Sequence, residues 1–386
     1  MQRREFLGAL GFTPLLSVWP NLAFAAAPAS NYQNLLLLVE LKGGNDGLNT
    51  VVPYADPSYY RLRPRLAIRR EEVLQLDQRT GLHSALQPLL GMWQAGELAI
   101  VQGVGYPQPN LSHFRSIEIW ESASQSNEYL ADGWLTRHFK SYPVPSAFAA
   151  DGVVIGSQAM GPLSGTGARA VALSNTEQFQ RQAHFADDVA AQPKNAALAH
   201  ILKVEGDIVQ AASGLTGGRV LQTEFPKGAF GNALKTAAHV VAGKAGVAVI
   251  RVTHNGFDTH NGQPNVQQRL LKELAEGLVA FKAAMQEINR WDHTLVMSYA
   301  EFGRRPQENA SLGTDHGTAN AHFVLGGKVQ GGLHGMAPNL SQLDGGNLPF
   351  GVDFRSLYAT AIENWWGLDA RGVLNGKFPK LDLLRA

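Results

Sequence analysis

The chain has 386 residues, 17% charged and 45% apolar, with 41 Gly, 19 Pro, no Cys, and 33 basic residues against 32 acidic ones. That balance excludes a disordered chain, and the missing cysteines exclude a disulfide scaffold or a thiolate-held metal. A formal charge of +1 gives no electrostatic case for nucleic acid, and the length allows one large domain or two ordinary ones.

Residues 1–25, extending to about 30, read as a signal peptide. Arg3 and Arg4 supply the positive start, Phe6 to Trp19 the apolar stretch, and Ala23-Phe24-Ala25 the small residues of a cleavage site. Arg3-Arg4-Glu5-Phe6-Leu7 has the twin-arginine form. Pro14 and Pro20 break the stretch as a helix, and it falls short of the roughly 20 residues that span a membrane. The expectation is export to the periplasm or beyond by the twin-arginine export machinery, with no transmembrane anchor after cleavage. Removing Arg3, Arg4 and Glu5 leaves 31 basic and 31 acidic residues, so the mature chain is formally neutral.

Leu35 to Leu41 is a short apolar run that stops at Lys42-Gly43-Gly44-Asn45-Asp46-Gly47, the pattern of a buried parallel strand ending in a Gly-rich loop. Leu98 to Val104, Val247 to Val252 and Thr294 to Tyr299 read the same way. Between the last two, Val266, Leu270, Leu271, Leu274, Leu278, Phe281, Met285 and Ile288 recur mostly at spacings of three and four, which predicts a long amphipathic helix. Strand, helix, strand in that order argues for a right-handed βαβ unit. Residues 175–240 read as a helical excursion, most clearly from Asn195 to Ala212, without a linker that would separate a second domain. Residues 31–386 are therefore expected to form one α/β domain, closed by a helix from Phe354 to Trp366.

Polar clusters follow each predicted strand, where open α/β sheets place their ligands. Asp46 follows the first, Ser112-His113 lies beyond the second, Asp258-Thr259-His260 follows the third, and Glu301, Arg304 and Asp315-His316 follow the fourth. These carboxylates and imidazoles are ligand types for zinc, manganese, calcium or magnesium when thiolates are absent. Each short motif also has an ordinary reading. Asn45-Asp46-Gly47 suits a turn, Asp258 a helix N-cap beside a surface histidine, and Ser112 the N-cap of a helix beginning near Phe114. The planar fork of Arg304 suits it to clamp the oxygens of an anionic ester.

The segments LVELKGGNDGLNTVVPY, PNLSHFRSIEIWES, GFDTHNGQ, YAEFGRRPQENASLGTDHGTANAHFVLGG and VDFRSLYATAIENWWG resemble an exported bacterial family, domain of unknown function fifteen-oh-one, placed in the alkaline phosphatase and sulfatase superfamily. The resemblance spans nearly all of the mature chain. It implies an alkaline-phosphatase-like three-layer α/β/α sandwich with a mostly parallel central sheet, one or two divalent metals at the strand ends and a nucleophile at a helix N-terminus. Carried over, Asp46 matches the first-strand metal carboxylate and Ser112 the nucleophile. Asp258 and His260 match the carboxylate and imidazole of the other metal, with a shorter gap than usual. Glu301 stands where the superfamily has an Asp after its late strand. His316 resembles the late histidine that completes the first metal, with Asp315 a further ligand candidate. Phe302 occupies the place of a ligand histidine, so a full two-metal site requires His113 or Asp315 to substitute.

Together these features lead to the expectation of a metal-dependent hydrolase of small phosphate or sulfate esters. The alternative is a non-catalytic periplasmic binding or structural protein that keeps the fold.

Overall fold

The computed structural model of the protein describes residues 30–173 and 218–385. The signal segment and the helix expected from Asn195 to Ala212 lie outside the described residues.

A nine-stranded sheet forms the centre: β1 (Leu35–Lys42), β2 (Leu98–Gly105), β3 (Ala150–Ile155), β4 (Ala170–Leu173), β5 (Val247–Asn255), β6 (Thr294–Tyr299), β7 (Asn320–Leu325), β8 (Gly332–Gly335) and β9 (Val352–Asp353). Its order is β8-β2-β7-β6-β1-β5-β3-β4, with β9 also paired to β2. The pairings are parallel except that β7 runs antiparallel to both β2 and β6. The four strands expected from sequence are β1, β2, β5 and β6. β3 opens with Ala150-Asp151-Gly152, and β7 carries Asn320 and His322 inside a polar stretch, so neither offers the continuous apolar run of a buried strand.

Alternation along β1 divides the core in two. Leu35, Leu37, Val39 and Leu41 face one cluster, with Phe230 and Leu234 of α3 (Ala229–Val241) and Leu270, Leu274 and Phe281 of α4 (Gln263–Glu287). Leu36 and Leu38 face the other, with Ile119 and Trp120 of α1 (His113–Ser122), Trp134 and Leu135 of α2 (Trp134–Ser141), and Leu357 of α5 (Phe354–Thr360). Helices therefore cover both faces of a mostly parallel sheet, giving three layers. Beyond α5 the chain widens into a π turn, Ala361–Trp365, that buries Trp365. Among the described residues no helix is long and apolar enough to cross a membrane.

β1 lies between β5 and β6, so the carboxyl ends of these three strands emerge side by side. The loop after β1 must pass very close to the loop after β5. A Cβ on Gly43, at φ +115°, would sit 2.3 Å from the backbone nitrogen of Asp258, so only glycine fits there. Beyond β6 an antiparallel ribbon, Arg304–Glu308 with Thr314–His316, pairs Arg304 with His316 and returns the chain over the same strand ends.

Candidate metal centre

Three histidines and one carboxylate meet above the ends of β5 and β6. His260 Nε2 lies 2.9 Å from His316 Nε2 and 3.1 Å from Asp258 Oδ1. His316 Nε2 is 3.4 Å from Asp258 Oδ1, and His113 Nε2 is 3.4 Å from Asp258 Oδ2. One ligand atom each from His113, Asp258 and His316 fall within 4.8 Å of one another.

The far sides of the rings fix their tautomers. His316 Nδ1 donates to the Leu111 carbonyl at 2.8 Å, and His113 Nδ1 donates to Glu301 Oε1 at 2.8 Å. His260 Nδ1 points more loosely at Asp315 Oδ1, 3.4 Å away. With Nδ1 the donor, a neutral His113 or His316 ring turns a bare Nε2 lone pair inward. His260 Nε2 lies 2.9 Å from that of His316, so the pair shares either a proton or a cation. His113, Asp258 and His316 offer two imidazole nitrogens and a carboxylate oxygen, backed by carboxylate and carbonyl acceptors, which are donor types that suit a zinc-type ion, and His260 stands beside them.

Electrostatics follow the same geometry. The Glu301 hydrogen bond, against the opposing effect of burial, raises the His113 pKa. Burial lowers that of His316, with Arg304 and the neighbouring imidazoles acting in the same direction. Burial pulls the Asp258 carboxyl upward, but Arg304 and the two nearby imidazoles outweigh it and hold it below its ordinary value.

Several sequence-derived assignments change here. Asp46 is fully buried and spent on Arg63, which grips both of its oxygens at 2.6 and 2.9 Å, while Gln263 donates to Oδ2 at 2.5 Å. Its carboxylate is structural, and it stands apart from the cluster. Glu301 does not face the cluster as a ligand; it orients His113 and accepts from the Gly43 amide at 2.9 Å. Asp315 is exposed and reaches the cluster only through His260. Arg304 is not free to clamp a substrate. It is buried, and its donors reach the carbonyls of Gly43, Gly44, Phe257 and Thr314 and the carboxylate of Asp258. Its role is to tie the three strand-end loops together and to set Asp258. Asp258, His260 and His316 do come together.

Sequence offers His113 only as a substitute ligand, because Ser112 beside it stands at the nucleophile position that the resemblance implies. The signal that finds it is position: a histidine opening the helix whose preceding loop supplies the Leu111 carbonyl. Ser112 is the exposed N-cap of α1; its amide donates to Asn110 Oδ1 at 2.9 Å, and its hydroxyl makes no capping bond. Phe302 is a buried ring beside the cluster, its centroid 4.8 Å from that of His113 and 4.5 Å from that of His316.

Residues 67–376 match the model of a family described as protein of unknown function DUF1501. No curated protein sequence matches the chain. Among solved structures, the fold is similar to the C-terminal periplasmic domain of EcEptC from Escherichia coli in complex with Zn (9% identity, 78% of this chain and 77% of that one, TM-score 0.39). It is also similar to a protein in the alkaline phosphatase superfamily from Vibrio parahaemolyticus (10%, 89% and 69%, TM-score 0.44) and to a phosphonate monoester hydrolase of Agrobacterium radiobacter (8%, 89% and 78%, TM-score 0.39).

Proposed function

The chain belongs to the family of proteins of unknown function DUF1501, and from that premise we propose that it is an exported, metal-dependent hydrolase of phosphate or sulfate esters. The observation that carries the reading is the convergence of His113, His260 and His316 Nε2 on the Asp258 carboxylate, with the rings anchored from behind. His113, Asp258 and His316, joined by His260, would hold a divalent ion. Such an ion, when bound, supplies Lewis-acid polarisation of an ester oxygen and lowers the pKa of water or a hydroxyl.

The protein's own groups do the rest. Ser112 places an uncommitted hydroxyl at the N-terminus of α1, beside His113, where first-turn amides and the helix dipole favour an anionic group. Its Oγ attacks phosphorus or sulfur as its proton passes to water, the bond to the leaving alkoxide breaks and the alkoxide takes up a proton to leave as the alcohol, and water later cleaves the serine ester, releasing the acid and restoring the hydroxyl. Glu301 keeps His113 in one tautomer, and Arg304 keeps Asp258 in place. The twin-arginine segment at residues 1–25 supports export of the folded protein.

A second reading, an ion that only braces an exported binding protein, is favoured by one observation: Arg304 is consumed by backbone carbonyls. Metal analysis with turnover of aryl phosphate and sulfate esters separates the two. Hydrolysis that needs a divalent ion and is lost in Ser112→Ala supports the enzyme. Bound metal without turnover supports the brace, and absence of both rejects the site.

A further inference from the structure

A cleft of about 540 Å³ lies at the opposite end of the sheet from the metal centre. Leu35 and Val247, which open β1 and β5, stand on its lining, whereas the histidines meet beyond the carboxyl ends of the same sheet. Lys244 and Arg290 line it as well, and neither Asp nor Glu does.

Two features describe what the cleft takes up. First, its cations have no counter-ion. The buried arginines Arg63, Arg251, Arg304 and Arg355 each meet a carboxylate. Among the described residues Lys244 has no hydrogen-bond or ion-pair partner, and the half-buried Arg290 guanidinium donates only to the Gln33 carbonyl. Burial lowers the Arg290 pKa, and no carboxylate offsets it. Second, the turn at residues 242–246, which joins α3 to β5, leaves the amides of Lys244, Ala245 and Gly246 without an acceptor among the described residues. Lys244 and Gly246 are exposed, so a ligand reaches this turn from solvent. A Cβ on Gly246 would lie 2.8 Å from the Phe148 ring, another wall of the cleft, so glycine keeps the turn pressed there. Successive unpaired amides beside unneutralised cations attract an anion. A guanidinium with spare donors, an ammonium and several amides offer more than the two oxygens of a carboxylate absorb, which favours a tetrahedral oxyanion.

We propose that this cleft is an oxyanion site that takes a phosphate or sulfate group on Arg290, Lys244 and the amides of the turn. It is separate from the ester chemistry and does not rest on that reading. A free ion and a small organic molecule bearing such a group share this chemistry.

The test titrates the full-length protein with inorganic phosphate and with methylphosphonate at fixed ionic strength, with and without added zinc, read by phosphorus NMR line broadening. The expected result is saturable binding that needs no zinc and is displaced by sulfate more strongly than by acetate. Tighter binding of phosphate identifies a free ion, and tighter binding of methylphosphonate an organic ligand. Lys244→Ala, at an exposed position, weakens binding about 3- to 10-fold, and Arg290→Gln weakens it about 10-fold or more. Absence of binding, binding only in the presence of zinc, or unchanged binding by Lys244→Ala overturns the proposal. Zinc-independent binding by a protein that hydrolyses no ester supports the cleft and rejects only the hydrolase reading.

Discussion

Two sets of carboxylates stand near the same strand ends and meet different fates. Asp46 and Glu40 are sealed against arginines. Both oxygens of Asp46 are taken by Arg63, while Glu40 accepts from Arg251 at 2.7 Å and from Thr253 at 2.8 Å. Asp258 is held by an arginine through Oδ1 alone, at 2.6 Å, and its side chain stays 46% exposed, with Oδ2 turned toward His113. A carboxylate whose lone pairs are filled by a buried guanidinium is a structural strut. One gripped on a single oxygen, among imidazoles with outward-anchored Nδ1, remains a ligand.

The largest expected effect breaks the structural half of that contrast. Asp46→Ala leaves Arg63 buried and uncompensated, at a cost of about 3–5 kcal/mol. Urea unfolding should show this, while the fraction that stays folded binds as much metal as the wild type. Loss of metal from folded Asp46→Ala would return Asp46 to the ligand set.

Next in size is the ligand half. Glu301→Gln keeps the shape but weakens the hold on His113 Nδ1, and metal affinity should fall about 10- to 100-fold in a competition titration. Unchanged affinity would mean that His113 does not serve the ion.

The smallest effect concerns the buried polar layer beneath the site, where Arg251 reaches both Glu40 and Glu121. Burial, opposed by Arg251 and aided by Glu40, raises the Glu121 pKa from its ordinary 4.5 to about 7. The folded state therefore holds a proton that the unfolded state releases between those values, so this group's contribution to stability falls as pH rises from about 4.5 to 7. Glu121→Gln should remove roughly 1–2 kcal/mol of that decline, read as the difference in urea midpoints at pH 5 and pH 7.5. An identical decline in the variant would place the titration elsewhere.

The contrast also marks how far sequence alone reaches. β1 and β6 are legible because Leu35 to Leu41 and Thr294 to Tyr299 are apolar enough to declare burial on both faces, and α4 because its apolar spacing is helical over many turns. β7 is not, since Asn320 and His322 interrupt it and its antiparallel direction depends on partners far along the chain. At the site, residue types and strand-end positions bring Asp258, His260 and His316 forward. What no local pattern carries is who neutralises whom. Arg63 lies 17 residues from Asp46, and Arg304 lies 46 residues from Asp258, and these pairings decide strut against ligand. Arg304 looked available for an anion only because the carbonyls of Gly43, Gly44 and Phe257 become its neighbours on folding.

The most direct test is an anomalous-diffraction map of the zinc-loaded protein. The map should show one ion bound by Nε2 of His113 and His316 and by Asp258, with His260 beside it and Asp46 still paired to Arg63. An ion seated on Asp46 or Glu301, or no ion at the three histidines, would contradict it.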